Sequence, residues 1–293
     1  VSAEQELTHD AGVHGDAHGA DAHVDVHGEV SLDVTELDVE LPGSGRVATP
    51  DVAEYAMRLG DDSLILSQQL AWWVSRAPEL EEDLALGNLA LDLLGHARAL
   101  LHFAGTATGR SEDDLAYWRD EPEFLNCWLV EQPGTDFGDM IARQLFFSLY
   151  QTQLYTALLS SGDESLAAIA AKAEREVRYH QDHAVQWVLR LAGGTDESRS
   201  RVIVSLNEMW PYVEELFTDD ALFDRLEGIA PKPSTLRAGF DETLAVVLAE
   251  AELELPTAKP AMAGGRQGRH STQMGYILAE LQWLARRHPG AKW

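Results

Sequence analysis

The chain has 293 residues, 45% of them hydrophobic, and a formal net charge of −27. That length buries a real core in one large domain or two small ones, while the charge repels nucleic-acid backbones and anionic membranes and leaves a basic partner as the better electrostatic match. A single cysteine, Cys127, excludes an intrachain disulfide and any cysteine-rich zinc or iron–sulfur motif.

Residues 1–49 differ in kind from 50–293. The first fifty residues hold eleven acids against one base, Arg46, and five of the eleven histidines, at 9, 14, 18, 23 and 27. With few large apolar residues before position 30, this arm is expected to be disordered. Its "HDAGVHGDAHGADAHVDVHG" run reads either as a weak divalent-metal binder or as a solvated acidic tail, and "LDVTELDVEL" at 32–41 has the partial alternation of an extended clip. No basic-then-apolar leader and no run of about 18 apolar residues is apparent, so a cytoplasmic protein is expected, neither secreted nor membrane-spanning.

From residue 50 the pattern is helix after helix. Thr49 and Pro50 supply an N-cap and a proline at the first helical position. Further helical segments are predicted at 78–107, 136–161, 164–192, 197–217, 234–254 and 271–287, with a short helix around "SEDDLAYWRDEPEFL" in the longer 108–135 connection. Strand signals are nearly absent. An all-α fold follows: four long helices in an antiparallel bundle, with the C-terminal helices packed around it.

The chemistry-bearing residues interrupt two apolar stripes. In "LALDLLGHARALL" Asp92 precedes His96 by four, and in "AEREVRYHQDH" Glu176 precedes His180 by four. Helical periodicity puts His96 among Leu86, Leu89, Leu93, Ala97 and Leu100, and His180 among Ala173, Val177, Ala184, Val188 and Leu191, so both imidazoles face the interior. Asp92 and Glu176 fall at the stripe edges, and His183 lies farther round toward solvent. A carboxylate-bridged di-iron site in a helical bundle takes a Glu-x-x-His motif from each of two helices and a Glu from each of the other two. Here the positions three before the histidines are Leu93 and Val177. No Asp or Glu occurs from Ser63 to Pro78 or from Met140 to Gly162, and Asp61, Asp62, Asp136 and Asp139 are expected at segment ends. Two readings stand: a single metal held by Asp92, His96, Glu176 and His180, as in an autonomous mononuclear or degenerate dinuclear metal-dependent oxidase, or hydrogen-bonded Asp92–His96 and Glu176–His180 pairs, joined by Arg143 or Gln144, that fix helix register. Eight tryptophans exceed the usual need of one bundle core, and Trp72 and Trp73 are candidates for a partner interface as well as for core packing.

The stretches "YAMRLGDDSLILSQQLAWWVSRAPELEEDLALGNLALDLLGHAR", "VEQPGTDFGDMIARQ", "EVRYH" and "LAELQWLARRHPGAKW" resemble, in this order, the C subunits of the bacterial ring 1,2-phenylacetyl-CoA epoxidase, a mono-oxygenase complex of phenylacetate degradation. The resemblance runs from about residue 53 to 293 and omits the arm. It implies a ferritin-like four-helix bundle and a structural, non-catalytic subunit with no cofactor of its own. It implies as partners a di-iron catalytic A subunit, a B subunit, and a reductase carrying FAD and an iron–sulfur centre.

Overall fold

A computed structural model describes residues 45–262 and 264–291. They are helical or irregular, with no strand among them. In chain order the helices are α1 (Pro50–Ala71), α2 (Leu80–Gly105), α3 (Glu112–Tyr117), α4 (Trp128–Glu131), α5 (Phe137–Leu158), α6 (Glu164–Ala192), α7 (Asp196–Met209), α8 (Ala221–Arg225), α9 (Pro233–Glu250) and α10 (Thr272–Arg287). The arm and its His-rich run lie outside the described residues up to Gly45. From there the backbone is already anchored: Ala48 is buried and its N–H donates to Thr106 Oγ1 at 3.0 Å.

Local chemistry sets the starts of these helices. Thr49 Oγ1 accepts from Val52 N ahead of α1, and Asp163 accepts from Ser165 N and Leu166 N ahead of α6. Ser111 with Asp114, and Asp136 with Asp139, close capping boxes on α3 and α5. Three predicted boundaries shift. Helix α2 begins at Leu80 rather than Pro78, because the chain first turns through Ser75 at φ 70°. Asp83 Oδ1 holds that turn, accepting from Ser75 N and Ala77 N. The segment predicted over 197–217 is α7 followed by two short 3₁₀ turns, since Pro211 carries no N–H with which to continue the α ladder. Helix α9 stops at Glu250, where Glu252 turns left-handed and Arg199 caps the Ala251 and Glu252 carbonyls.

Packing follows from the connections. The short loops after α1 and α5 fold each helix back on its successor, so α1 lies against α2 and α5 against α6, and the two pairs meet along α2 and α6. Helices α7 and α9 cover α5, and α10 covers α1, α3 and α4. Among the described residues α2 alone has the length and hydropathy of a membrane span, and half of that apolar window is buried inside the protein.

The long connection between α2 and α5 is held by buried charges, and here one expectation is overturned. Asp61 and Asp62 are not at a segment end: α1 runs unbroken past Gly60, so both sit in its middle, fully buried. Asp61 forms a two-pronged ion pair with Arg119, 3.0 Å on one prong, and accepts from Leu125 N at 2.8 Å. Asp62 does the same with Arg266, at 2.7 and 3.0 Å, and accepts from Cys127 N at 2.8 Å. Close by, buried Glu131 accepts from His270 Nδ1 at 2.9 Å, while His270 Nε2 donates to the Phe124 carbonyl at 2.9 Å. A ring whose two nitrogens both face acceptors carries both protons. Burial works against that charge, and the hydrogen bonds to Glu131 and Phe124 outweigh it, raising the His270 pKa.

Candidate functional site

The seam between α2 and α6 carries the acid and histidine residues. Leu86, Leu89, Leu93, Ala97 and Leu100 are buried on α2, and Ala173, Val177, Ala184 and Val188 on α6; Leu191 packs against the core partly covered. Within these stripes His96 and His180 are buried, as their helical phase requires. Their partners differ from the expected ones. His96 Nε2 donates to Glu176 Oε2 at 2.6 Å, and His180 Nε2 to Asp92 Oδ2 at 3.1 Å, so each pair crosses between helices. The reason is register. In an antiparallel pair four residues forward on one helix match four back on the other, which sets Glu176 opposite His96 and Asp92 opposite His180 simultaneously. A residue four away on the same helix lies parallel to its neighbour; across the seam the edge carboxylate points directly at the opposite ring.

The carboxylates remain at the rim, Glu176 at 27% and Asp92 at 33% side-chain exposure, with the imidazoles beneath them. The two rings lie 6.3 Å apart, and Tyr155 of α5 packs 5.6 Å from His96. Neither Arg143 nor Gln144 joins the pairs. Arg143 Nη1 donates instead to the Gln132 carbonyl at 2.5 Å, and both polar atoms of the Gln144 amide are buried without a partner. Nδ1 of His96 and of His180 is likewise buried and unpartnered.

A third cross-pair was not singled out by sequence. Buried Glu82 of α2 accepts from Trp187 Nε1 at 2.7 Å and from His183 Nε2 at 3.1 Å. Glu82 reads as one of three acids in a first helical turn, where acids ordinarily sit in solvent. The available signal was its spacing: seven residues before Leu89, it shares the buried face. His183 is, as its phase predicted, more exposed than His180, at 9% against none.

These groups make a hydrogen-bonded seam better than a metal centre. The two positions from which bridging carboxylates would reach the metals hold Leu93 and Val177, both fully buried hydrocarbon. Among the described residues no three His, Cys, Asp or Glu side chains form a group able to hold a metal ion. The residues present do not fit a dinuclear iron centre. Of the two tryptophans, Trp73 is a core residue, 6% exposed and edge-on to Phe137 at 5.7 Å. Its neighbour Trp72 is 41% exposed, with the Arg76 guanidinium 4.2 Å above its ring.

A family model described as phenylacetic acid catabolic protein matches residues 44–293. The chain belongs to that family. Over 242 residues it is 45% identical to the C subunit of 1,2-phenylacetyl-CoA epoxidase from Escherichia coli (strain K12), a match spanning 82% of this chain and 98% of the relative. The resemblance carried by the motifs is thereby shown. The phenylacetic acid catabolic match takes in all three cross-pairs together with Leu93 and Val177, and leaves out the chain before residue 44.

The pairs also set a pH response. Burial lowers the His180 pKa, against the opposing hydrogen bond to Asp92. A histidine depressed in the folded state binds its proton more readily when unfolded. Its contribution is therefore complete above the unfolded value of about 6.5 and is lost as pH falls toward its lowered folded value. Urea unfolding of the parent and of His180→Gln checks this: below about pH 6.5 the parent loses stability more steeply than the variant. His270, raised in the folded state, works in the opposite sense. Its contribution is full below the unfolded value and fades as pH rises through its folded one.

Proposed function

We propose that this chain is the C subunit of a multicomponent 1,2-phenylacetyl-CoA epoxidase, a ferritin-like four-helix bundle with added C-terminal helices that braces a di-iron A subunit without performing chemistry itself. The observation that carries the reading is the hydrocarbon at Leu93 and Val177. Where a ligand-bearing bundle would present carboxylates, this one presents packed aliphatic side chains, and its histidines are committed to Glu176 and Asp92. The 45% identity to a protein named as the C subunit of that epoxidase supports the assignment to the complex. In this reading the chain holds no cofactor, the iron belongs to the A subunit, and FAD and the iron–sulfur centre belong to the reductase. The assembly also includes the B subunit, and it works in the cytoplasm without nucleic acid or membrane.

The physical logic is preorganisation. A catalytic first shell must be held within fractions of an ångström, and a second bundle packed along the ligand-bearing helices restrains them at no chemical cost. Reconstitution of the epoxidase from its separate subunits tests the role. Omitting this chain lowers phenylacetyl-CoA turnover by about 100-fold or more, the scale on which small misplacements of reacting groups act. The purified chain alone carries iron well below one atom per molecule and turns nothing over. Near-equimolar iron, lost when His96 and His180 are both changed to leucine, would defeat the proposal in favour of a metal-dependent oxidase.

A further inference from the structure

A groove of about 210 Å³ between the end of α1, the 133–135 loop and α10 combines exposed aromatic rings with one carboxylate. Tyr276, Ile277 and Glu280 line it from α10, and Gln69 and Trp72 from the end of α1. Trp73 and Ile277 meet it from the core, whereas Trp72 and Tyr276 are 41% and 69% exposed. Glu280 is the one charged residue of the lining, and it pairs with no cation among the described residues. Gln69 adds a second acceptor. Its amide nitrogen donates to the Gln132 carbonyl at 3.1 Å, which leaves the side-chain oxygen for a ligand. The volume falls below the range of about 300–1,000 Å³ typical of pockets for drug-sized molecules, so the groove suits a single side chain.

We propose that this groove receives an arginine side chain from the basic surface of a partner protein, the guanidinium lying against Trp72 and Tyr276 and donating to Glu280. Charge selects the ligand. The net charge of −27 draws cations at long range, and Glu280 repels an anion at the groove itself. A neutral apolar group would cover the carboxylate without pairing it. Among cations a guanidinium fits best, because it is planar, weakly hydrated, stacks on aromatic faces and meets a carboxylate with two N–H groups. Trp72 already accepts one: the Arg76 guanidinium stands 4.2 Å from its ring, outside the groove lining. The inference goes beyond the subunit role proposed above and does not depend on it, so its failure leaves that role standing.

Fluorine NMR of the full chain labelled with fluorotryptophan tests it, with the Trp72 resonance identified by its loss in Trp72→Phe. The probes are the capped peptide acetyl-Gly-Arg-Gly-amide and its citrulline counterpart, which keeps the shape and removes the charge. A half-exposed cation–aromatic contact and an exposed ion pair are each modest, so the arginine peptide shifts the Trp72 signal saturably with a Kd of about 10 mM. The citrulline peptide binds about fivefold more weakly or worse. Glu280→Gln and Tyr276→Ala each weaken the arginine peptide about threefold, and their thermal midpoints stay within a few degrees of the parent because both positions are exposed. Trp118, 45% exposed and outside the groove, reports cations gathered merely by net charge, and its signal stays in place. Equal binding of the two peptides, unchanged binding by Glu280→Gln, a Trp118 shift as large as that of Trp72, or no saturable shift of Trp72 would each overturn the proposal.

Discussion

Asp61→Ala lowers the stability of this protein by about 3–5 kcal/mol, the range for removing one partner of a buried ion pair. Both side chains are fully buried, and Arg119 keeps after the change only the carbonyls of Leu115 and Glu123 and the face of Phe124, 4.1 Å away. Leu125 N also loses its acceptor. The cost is therefore chiefly that of a stranded cation and an orphaned amide, rather than of the attraction itself. At the entropy of unfolding expected for a body of roughly 250 residues, the thermal midpoint drops by about 6–10 °C. Two controls separate this account from a general sensitivity to charge removal. Arg225→Ala breaks an exposed pair with Asp51 and changes stability by no more than about 0.5 kcal/mol. Asp61→Leu combined with Arg119→Met, which leaves no unpaired charge, recovers most of the loss. Urea denaturation of the four proteins reads all of this, and a loss in Asp61→Ala no larger than in Arg225→Ala would refute it.

The same residues show what the sequence could and could not disclose. The helices were legible because their signals are local: Pro50 after Thr49, and a period near 3.6 across α2 and α6. The inward direction of His96 and His180 followed from that phase, and so did the burial of Leu93 and Val177. What failed depended on register and on distant chain. Glu176 belongs to His96 and Asp92 to His180 only because α2 and α6 run antiparallel at one offset, which no single helix encodes. Asp61 and Asp62 follow Gly60, and a glycine ahead of two acids reads as a boundary. The helix continues through them because Arg119 and Arg266, 58 and 204 residues onward, satisfy carboxylates that would otherwise break it. Trp72 and Trp73 are adjacent in sequence, yet one is exposed and the other core, because they lie in the turn after α1, where no helical phase assigns their sides.

The molecule uses its acids in two different ways. Long-range ion pairs tie the α2–α5 connection and the C-terminal segment onto α1, whereas two of the carboxylates that hydrogen-bond across the α2–α6 seam, Asp92 and Glu176, stay at the rim. A carboxylate at the rim keeps water on one side. An added carboxylate in the interior has no such outlet.

Leu93→Glu tests that contrast directly. It places a carboxyl three residues before His96, recreating one Glu-x-x-His motif, at a position with no solvent exposure. At neutral pH the variant loses about 4 kcal/mol or more, because the chain must either bury an anion or protonate it far from its ordinary pKa of about 4.3. The sign of the pH response identifies the cause. A glutamate raised by burial is destabilising above its unfolded pKa, so the deficit against the parent shrinks as pH falls through the raised folded value. Leu93→Gln, with the same shape and no charge, shows a smaller deficit and no such slope. Iron(II) does not restore Leu93→Glu. His96 Nε2 is held by Glu176, and the middle of α5 offers Gln144 and Gln151, amides in place of carboxylates. Thermal melts across pH, with and without iron(II), give the answer. Recovery of parental stability on adding iron(II) would mean that the interior keeps enough oxygen and nitrogen donors for a metal centre.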